Sequence, residues 1–308
     1  MVKYLKVGAD PEFFLFDQNK KEYISAHDRV PGTKANPVPL KNGGMIQADG
    51  LAVEFNIPAS SSAKEFSDNL RAALSDIRNE YFAKDKHLRF AFDPVANFST
   101  AYMKTLPEHA LELGCEPDFD AYNEGKANKK PDNKLPMRTG SGHLHVGYLG
   151  KLNQVDDVTD QQHVEDCCTL AIALDTVLLP HRNLWDTDKQ RSTMYGNPGC
   201  FRPKRYGMEY RTLSNAWLRH PKLWPWLFGS VKRAIEIAED PNLYQKYCAP
   251  RIVYSETLHH VSQYMKRISD AGSLARSREL YHMQVKDAIY DGYSLGPMRS
   301  RIGQPLVV

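Results

Sequence analysis

Glu12 stands in a very apolar run, next to Phe13, Phe14, Leu15 and Phe16. A lone carboxylate there is expensive unless it is paired, protonated or bound to a metal. Glu54 has a similar setting. Over residues 51–57 a period of two puts Leu51, Val53, Phe55 and Ile57 on one face and Ala52, Glu54 and Asn56 on the other. Taken singly, each glutamate reads better as a carboxylate on the solvated side of an antiparallel strand. His143 and His145, in GSGHLHVGY, shift that balance. The same period places both imidazoles on one strand face, roughly 7 Å apart. At that spacing one can sit on a metal and the other on a neighbouring ligand, although His-x-His alone is a weak motif. Gly140 and Gly142 let a backbone or a ligand come close. Glu209 and Arg211 share a face in RYGMEYRTLSN, where a cross-strand salt bridge is the plain alternative. Arg191, Arg202, Arg205 and Arg211 lie close together in sequence, two of them in the loop YGNPGCFRPKR. Arginines beside carboxylates suit a phosphate or carboxylate ligand, while Lys204 and Arg205 also fit a solvated basic loop. Jointly, a sheet face lined by Glu and His is a good place for hard cations such as Mg²⁺ or Mn²⁺.

The elements that must hold these residues can be read in part. Strands are predicted over 12–16, 51–57, 88–92, 143–149 and 206–213. Ser62-Ala63-Lys64-Glu65 reads as a capping box that opens a helix with Phe66, Leu70, Leu74, Ile77 and Tyr81 inward. Thr159-Asp160-Gln161-Gln162 can cap a second, with Val164, Cys167, Ala171, Leu174 and Leu178 inward. The sequence over 108–136 is polar and broken by Gly and Pro, and GKANKKPDNK in particular predicts an exposed, mobile loop. Its basic stretch, 126–134, could meet an acidic substrate, but solvation is the simpler account. Residues 180–204 also read as loop. After Asn215 helices are predicted over 221–239, 252–271 and 275–291. The fold class is therefore α+β, with an α+β core over 1–220 and a helical C-terminal extension over 221–308 packed on it.

Composition excludes several classes. The 308 residues carry 40 Lys+Arg against 37 Asp+Glu, a net charge of +3, with no electrostatic case for general nucleic-acid binding. With 42% hydrophobic and 25% charged residues, the chain is neither collagenous nor wholly disordered. It has no apolar run of about 18 residues, so no membrane span is expected. The first residues lack a signal-peptide core. Cys115, Cys167, Cys168, Cys200 and Cys248 have no CxxC spacing and read as reduced thiols of a cytoplasmic protein.

Three segments, in order, resemble one superfamily. GADPEFFLFD is similar to the first metal-binding strand of glutamine synthetases, in which two acidic residues flank a proline. GSGHLHVGY resembles their His-x-His strand. RYGMEYRTLSN resembles the Arg…Glu-x-Arg strand of glutamine synthetase and glutamate–cysteine ligase. The R-x-x-x-YGNPG-x-FR string and the overall size resemble the phage-encoded carboxylate–amine ligases called type 2 amidoligases. The resemblance covers about residues 5–215. It implies a glutamine synthetase-like antiparallel sheet with helices on one face, ATP as nucleotide, and two divalent metals, Mg²⁺ or Mn²⁺. Asp10, His143 and Glu209 would hold the metal nearer the γ-phosphate; Glu12 and Glu54 would hold the second. His145 and Ser141 would lie on the nucleotide side. Arg211 would meet the transferred phosphoryl group, with Arg191 and Arg202 as further clamps on nucleotide and phosphate. Asp10 stands where the family usually has Glu. A third carboxylate for the second metal has no clear match, with Asp49 a candidate only. The family's separate small N-terminal β domain is absent, and the residues that select its substrates have no counterparts here.

The expectation is an ATP-dependent ligase that joins a carboxylate to an amine through an acyl phosphate. Its partners would be small-molecule or peptide carboxylates and amines, in the host cytoplasm if phage-encoded, with oligomerisation left open. Three rivals remain: a phosphotransferase of the guanidino kinase type, a metal-dependent hydrolase using His143 and His145, and a binding protein with a dead site. The hydrolase would need more metal histidines, with His163, His181 and His220 available.

Overall fold

The computed structural model describes residues 4–111, 118–128, 136–149 and 154–249. The helices expected over 252–271 and 275–291 lie outside the described residues, as do 112–117 and 129–135 of the expected loop and Cys115. In chain order the first elements are β1 (Lys6–Asp17), β2 (Glu22–Ile24), β3 (Val38–Pro39), β4 (Met45–Asp49), β5 (Ala52–Asn56) and α1 (Ala63–Tyr81). Next come β6 (Leu88–Ala91), β7 (Val95–Asn97), α2 (Thr100–Met103), α3 (Glu108–Leu111), β8 (Phe119–Asp120), β9 (Lys126–Ala127), β10 (Met137–Thr139) and β11 (Gly142–Gly147). The rest are α4 (Gln161–Leu178), β12 (Cys200–Lys204), β13 (Gly207–Tyr210), α5 (Leu223–Glu239) and α6 (Pro241–Tyr247). The fold is mixed α and β around a large antiparallel sheet ordered β3-β4-β5-β1-β11-β13-β12-β8-β9, with β2 and β6 also paired to β1. Strands β7 and β10 form a separate pair.

The sheet has one dry face. Val7, Ala9, Leu144, Val146, Met208 and Tyr210 join Leu70 of α1, Leu174 of α4 and Val231 of α5 in a single hydrophobic cluster. Period two then sends Gly8, Asp10, His143, His145 and Glu209 to the opposite face. On that second face, Phe14, Leu51, Ala91, Ala96 and Phe98 form a smaller cluster beyond Glu12. Leu51 was expected to share the face of Val53, but it precedes β5 in the turn at Gly50, whose φ is +55°, and joins this smaller cluster instead. Helix α5 belongs to the same hydrophobic cluster as the sheet. Among the described residues no helix is long and apolar enough to cross a membrane.

Local signals explain most elements. Ser62 caps α1, its Oγ accepting from the Glu65 N–H at 3.1 Å. The reciprocal bond is shifted by one residue: Glu65 Oε2 accepts from the Ser61 N–H at 2.6 Å. Ser62→Ala is expected to lower stability by about 1 kcal/mol. The check is the urea midpoint at unchanged slope; an unmoved midpoint would mean the Ser61–Glu65 bond alone holds this end. Asp160 caps α4 by accepting from the His163 N–H at 3.1 Å. Strand β1 begins six residues before Glu12. Strand β12 lies in sequence expected to be loop, as do α3, β8 and β9. Pro203 is tolerated in β12 because only Cys200 and Phe201 pair with β8; at Pro203 the strand has β13 on one side alone.

Candidate metal centre

Strand register assembles the polar face. Asp10 lies opposite His143 across β1 and β11, His145 opposite Glu209 across β11 and β13, and Glu209 opposite Arg202 across β13 and β12. One row further along β1, Glu12 faces Glu54 of β5, which faces Gln47 of β4. Pro11 marks the change of partner: β1 pairs with β11 up to Pro11 and with β5 from Glu12. The Glu12 N–H donates to the Ser141 carbonyl at 2.8 Å, and the Ser141 N–H donates to Glu12 Oε2 at 2.9 Å.

Asp10, His145 and Glu209 each offer a ligand atom, all within 4.8 Å of one another. His145 Nε2 is 3.0 Å from Asp10 Oδ2, and its Nδ1 is hydrogen-bonded to the Tyr206 hydroxyl. His143 Nδ1 lies 3.5 Å from Asp10 Oδ1 and 3.3 Å from Glu209 Oε1. Glu209 is 1% exposed and gathers cations: Arg211 donates to Oε1, while Lys204 Nζ is 2.9 Å and Arg202 3.5 Å from Oε2. Asp118 Oδ2 is 3.8 Å from Arg211 Nε.

The two rows are tuned in opposite directions. Burial and Asp10 push the Glu209 carboxyl up, but Arg211, His143 and His145 outweigh them and hold it down at about 2. Burial likewise pushes Asp10 up, and the two histidines bring it well below the usual carboxylate range. His143 falls to about 4 through burial and the nearby Arg211, so it is a neutral imidazole at neutral pH. His145 loses from burial but rises on balance because of Asp10. In the next row burial and Asp49 raise Glu12 to about 8. Burial, then Asp10, Asp49 and Glu12, push Glu54 well up, and Asp49 itself is raised by burial. A carboxylate row with too little positive charge therefore adjoins a row with ionised acids.

The donor set fits a divalent cation. Buried Asp10 Oδ1 has His143 Nδ1 at 3.5 Å but no well-formed hydrogen bond, so an ionised oxygen there is left under-satisfied without a further cation. Two carboxylates with one imidazole suit Mg²⁺ or Mn²⁺ as first ligands, with water completing the shell.

No protein-family model and no curated protein matches the chain.

The site must therefore be judged on its own geometry. Asp10, Glu209, His143, His145, Arg202 and Arg211 come together, with Glu12 and Glu54 in the adjoining row. Asp10, His145 and Glu209 have ligand atoms that all lie together, and the expected ligand His143 adjoins the same two carboxylates at 3.5 and 3.3 Å, with its Nδ1 also 3.4 Å from Arg211 Nη1. Arg191 departs from its expected role as a clamp. It is fully buried, and its guanidinium donates to the Thr212 carbonyl at 2.8 Å and the Arg211 carbonyl at 3.3 Å. It thereby positions the strand end that carries Arg211. Ser141, expected on the nucleotide side, holds Glu12 through its backbone N–H. The glycines beside it serve packing. A Cβ on Gly140 would collide with Asn215 Nδ2, and one on Gly142 with Trp217 Nε1 and the Ser214 carbonyl. Gly142→Ala is expected to destabilise by at least about 1–3 kcal/mol. Urea unfolding checks it; a wild-type midpoint would show that Trp217 yields.

Sequence reading missed Lys204, Tyr206, Gln47 and Asp118. Lys204 alternates with Arg202 on β12 and so shares its face, a signal concealed while the segment read as loop. Arg205, by contrast, is exposed and paired to Asp156 at 3.0 Å. Tyr206 opens onto a cleft of about 780 Å³ beside Asp10 and His145, walled in part by Tyr4, Ile57 and Leu149. Two of the three spare histidines are engaged elsewhere: His163 Nε2 is 3.1 Å from the Lys204 carbonyl, and His181 packs edge-on against Trp226.

Proposed function

We propose that the chain is an ATP-dependent carboxylate–amine ligase with a glutamine synthetase-like fold, of the type 2 amidoligase kind. The observation that carries this reading is the meeting of Asp10, His145 and Glu209 at ligand distances, with Arg211, Arg202 and Lys204 on one side and the Glu12–Glu54 pair on the other. A hydrolase would need only the first group. The additional cations match a reaction in which a phosphoryl group, itself anionic, moves to an anionic carboxylate.

In this reading the γ-phosphoryl group of ATP passes to the substrate carboxylate, giving ADP and an acyl phosphate. The amine then attacks the acyl carbon, and phosphate leaves. Asp10, His145 and Glu209, with Glu12 and Glu54 in the next row, would hold divalent cations, which would neutralise phosphoryl oxygens when bound. The chain's own residues do the rest. Arg211 and Arg202 offer planar donors to phosphoryl oxygens, and Lys204 a point charge. Arg191 fixes the backbone behind Arg211. Tyr206 orients His145 through Nδ1, the arrangement that sets a ligating imidazole's tautomer. Ile57 and Leu149 give the cleft an apolar wall beside the site.

The test is a screen of amino acids and amines for phosphate release from ATP with Mg²⁺, followed by mass spectrometry. An amide product formed only with ATP supports the ligase. A phosphorylated amine with ADP and no amide moves the reading to simple phosphoryl transfer. Bond cleavage independent of ATP overturns both.

A further inference from the structure

Away from the sheet, two imidazoles converge. His27 Nε2 and His109 Nε2 are 3.0 Å apart, with the rings tilted by 55° and their centroids 5.0 Å apart, so they meet through nitrogen atoms rather than faces. On the far side of the His27 ring, Nδ1 is 3.0 Å from Asp28 Oδ2. Each histidine is carried by tied backbone. The Ser25 N–H donates to the Tyr102 hydroxyl at 2.9 Å, the His27 N–H to Ser25 Oγ at 3.0 Å and the Arg29 N–H to the Ala26 carbonyl at 3.0 Å. Asp28 adopts φ +60°, a left-handed backbone that aspartate tolerates better than most residues. His109 lies on α3, whose Ala110 N–H donates to the Pro107 carbonyl at 3.0 Å.

Nitrogens bound about 2.0–2.1 Å from one ion stand roughly 2.8–3.0 Å apart at right angles and roughly 3.3–3.4 Å apart in a tetrahedron. The observed separation fits the right-angled end of this range. We propose that His27 and His109 form a two-histidine site for a divalent transition ion of the Zn²⁺ class, with Asp28 fixing the His27 tautomer. Imidazole pairs prefer Zn²⁺, Ni²⁺ and Cu²⁺ over Mg²⁺. A carboxylate on Nδ1 leaves Nε2 as the free ligand nitrogen. His109 and Asp28 are exposed, so water completes the shell. The bound ion staples the turn around His27 to α3, 82 residues away in sequence. This site is independent of the ligase reading and shares no residue with it.

The experiment is calorimetric titration of the full chain with Zn²⁺ in excess Mg²⁺, comparing wild type with His27→Ala, His109→Ala, Asp28→Asn and His145→Ala. Expected is one Zn²⁺ equivalent that His145→Ala retains and that either His27→Ala or His109→Ala weakens at least about tenfold. Asp28→Asn keeps the backbone and the acceptor but loses the charge, and should weaken binding by about tenfold. Should His27→Ala fail to fold, His109→Ala, at an exposed position, decides alone. Wild-type stoichiometry and affinity in the histidine variants would overturn the site and leave a hydrogen bond only. So would loss of the equivalent in His145→Ala alone.

Discussion

Glu209→Gln is expected to reduce ATP-dependent turnover by at least about a hundredfold, the scale of losing a key electrostatic contact in a transition state. The side chain sits on β13 between β11 and β12 and is 1% exposed. Its two oxygens hold Arg211, Lys204 and Arg202, with His143 at 3.3 Å. Glutamine keeps the size and one carbonyl oxygen, so Met208 and Tyr210 should still pack. The charge that balances three cations is lost, however. Removing one partner from a buried ionic group costs on the order of 3 kcal/mol, so a lower urea midpoint is expected as well. Inactivity could then be mistaken for unfolding. Asp10→Asn separates the two effects. Asp10 adjoins only the histidines in its ion pairs, 3.0 Å from His145 and 3.5 Å from His143, and none of the arginines. It should lose turnover to a similar degree with a smaller change in midpoint. Steady-state rates on folded protein, confirmed by circular dichroism, decide the matter. Turnover within twofold of wild type in both variants would remove the metal centre and the ligase reading with it.

How much of this was legible beforehand depended on the distance over which each interaction acts. Helix α1 was readable because Phe66, Leu70, Leu74 and Ile77 carry its periodicity locally, and all four are buried. The alternation of Val53, Glu54 and Phe55 was equally local. The first half of β1 was not readable, because VGADP has a turn-like composition. It is extended only because β11 pairs with it as far as Pro11. Residue types at the site were legible for the same reason: a glutamate or histidine inside an apolar strand is conspicuous wherever it ends up. Their grouping was not. That His143 and His145 both meet Asp10 and Glu209 depends on two registers, between β1 and β11 and between β11 and β13, neither of which is written in any one segment. Arg191 shows the same limit. An arginine in a Gly- and Pro-rich loop reads as an exposed clamp, yet here it is fully buried on two backbone carbonyls contributed by residues 20 and 21 positions away.

Glu12→Gln is expected to stabilise the metal-free protein while abolishing its activity. Glu12 is 6% exposed and directly opposite Glu54, and burial with Asp49 raises its carboxyl to about 8. An unfolded glutamate titrates near 4.3. Between about pH 4.5 and 8 the native state therefore holds a proton that the unfolded chain has released. Native binding exceeds unfolded binding, so stability must fall as pH rises through this window. Glu54 and Asp49 are raised too and act in the same sense. Glu209 acts in the opposite sense, but its window lies lower, its contribution being lost as pH falls towards about 2. Glutamine cannot ionise and still accepts from the Ser141 N–H, which now meets Glu12 Oε2 at 2.9 Å. At about 1.4 kcal/mol per pKa unit, and allowing for sharing with Glu54, the gain at pH 8 should be on the order of 3 kcal/mol and should vanish near pH 4.5. Urea midpoints in chelator across this range measure it. Mg²⁺ should flatten the decline of the wild type and leave the variant nearly unmoved, because the added cation relieves the repulsion that the mutation has already removed. A wild-type midpoint flat from pH 5 to 8, or a variant equally stabilised at pH 5, would remove the ionisation argument. A variant that is stabilised and fully active would show that the Glu12–Glu54 pair is a strained contact and holds no cation that the reaction requires.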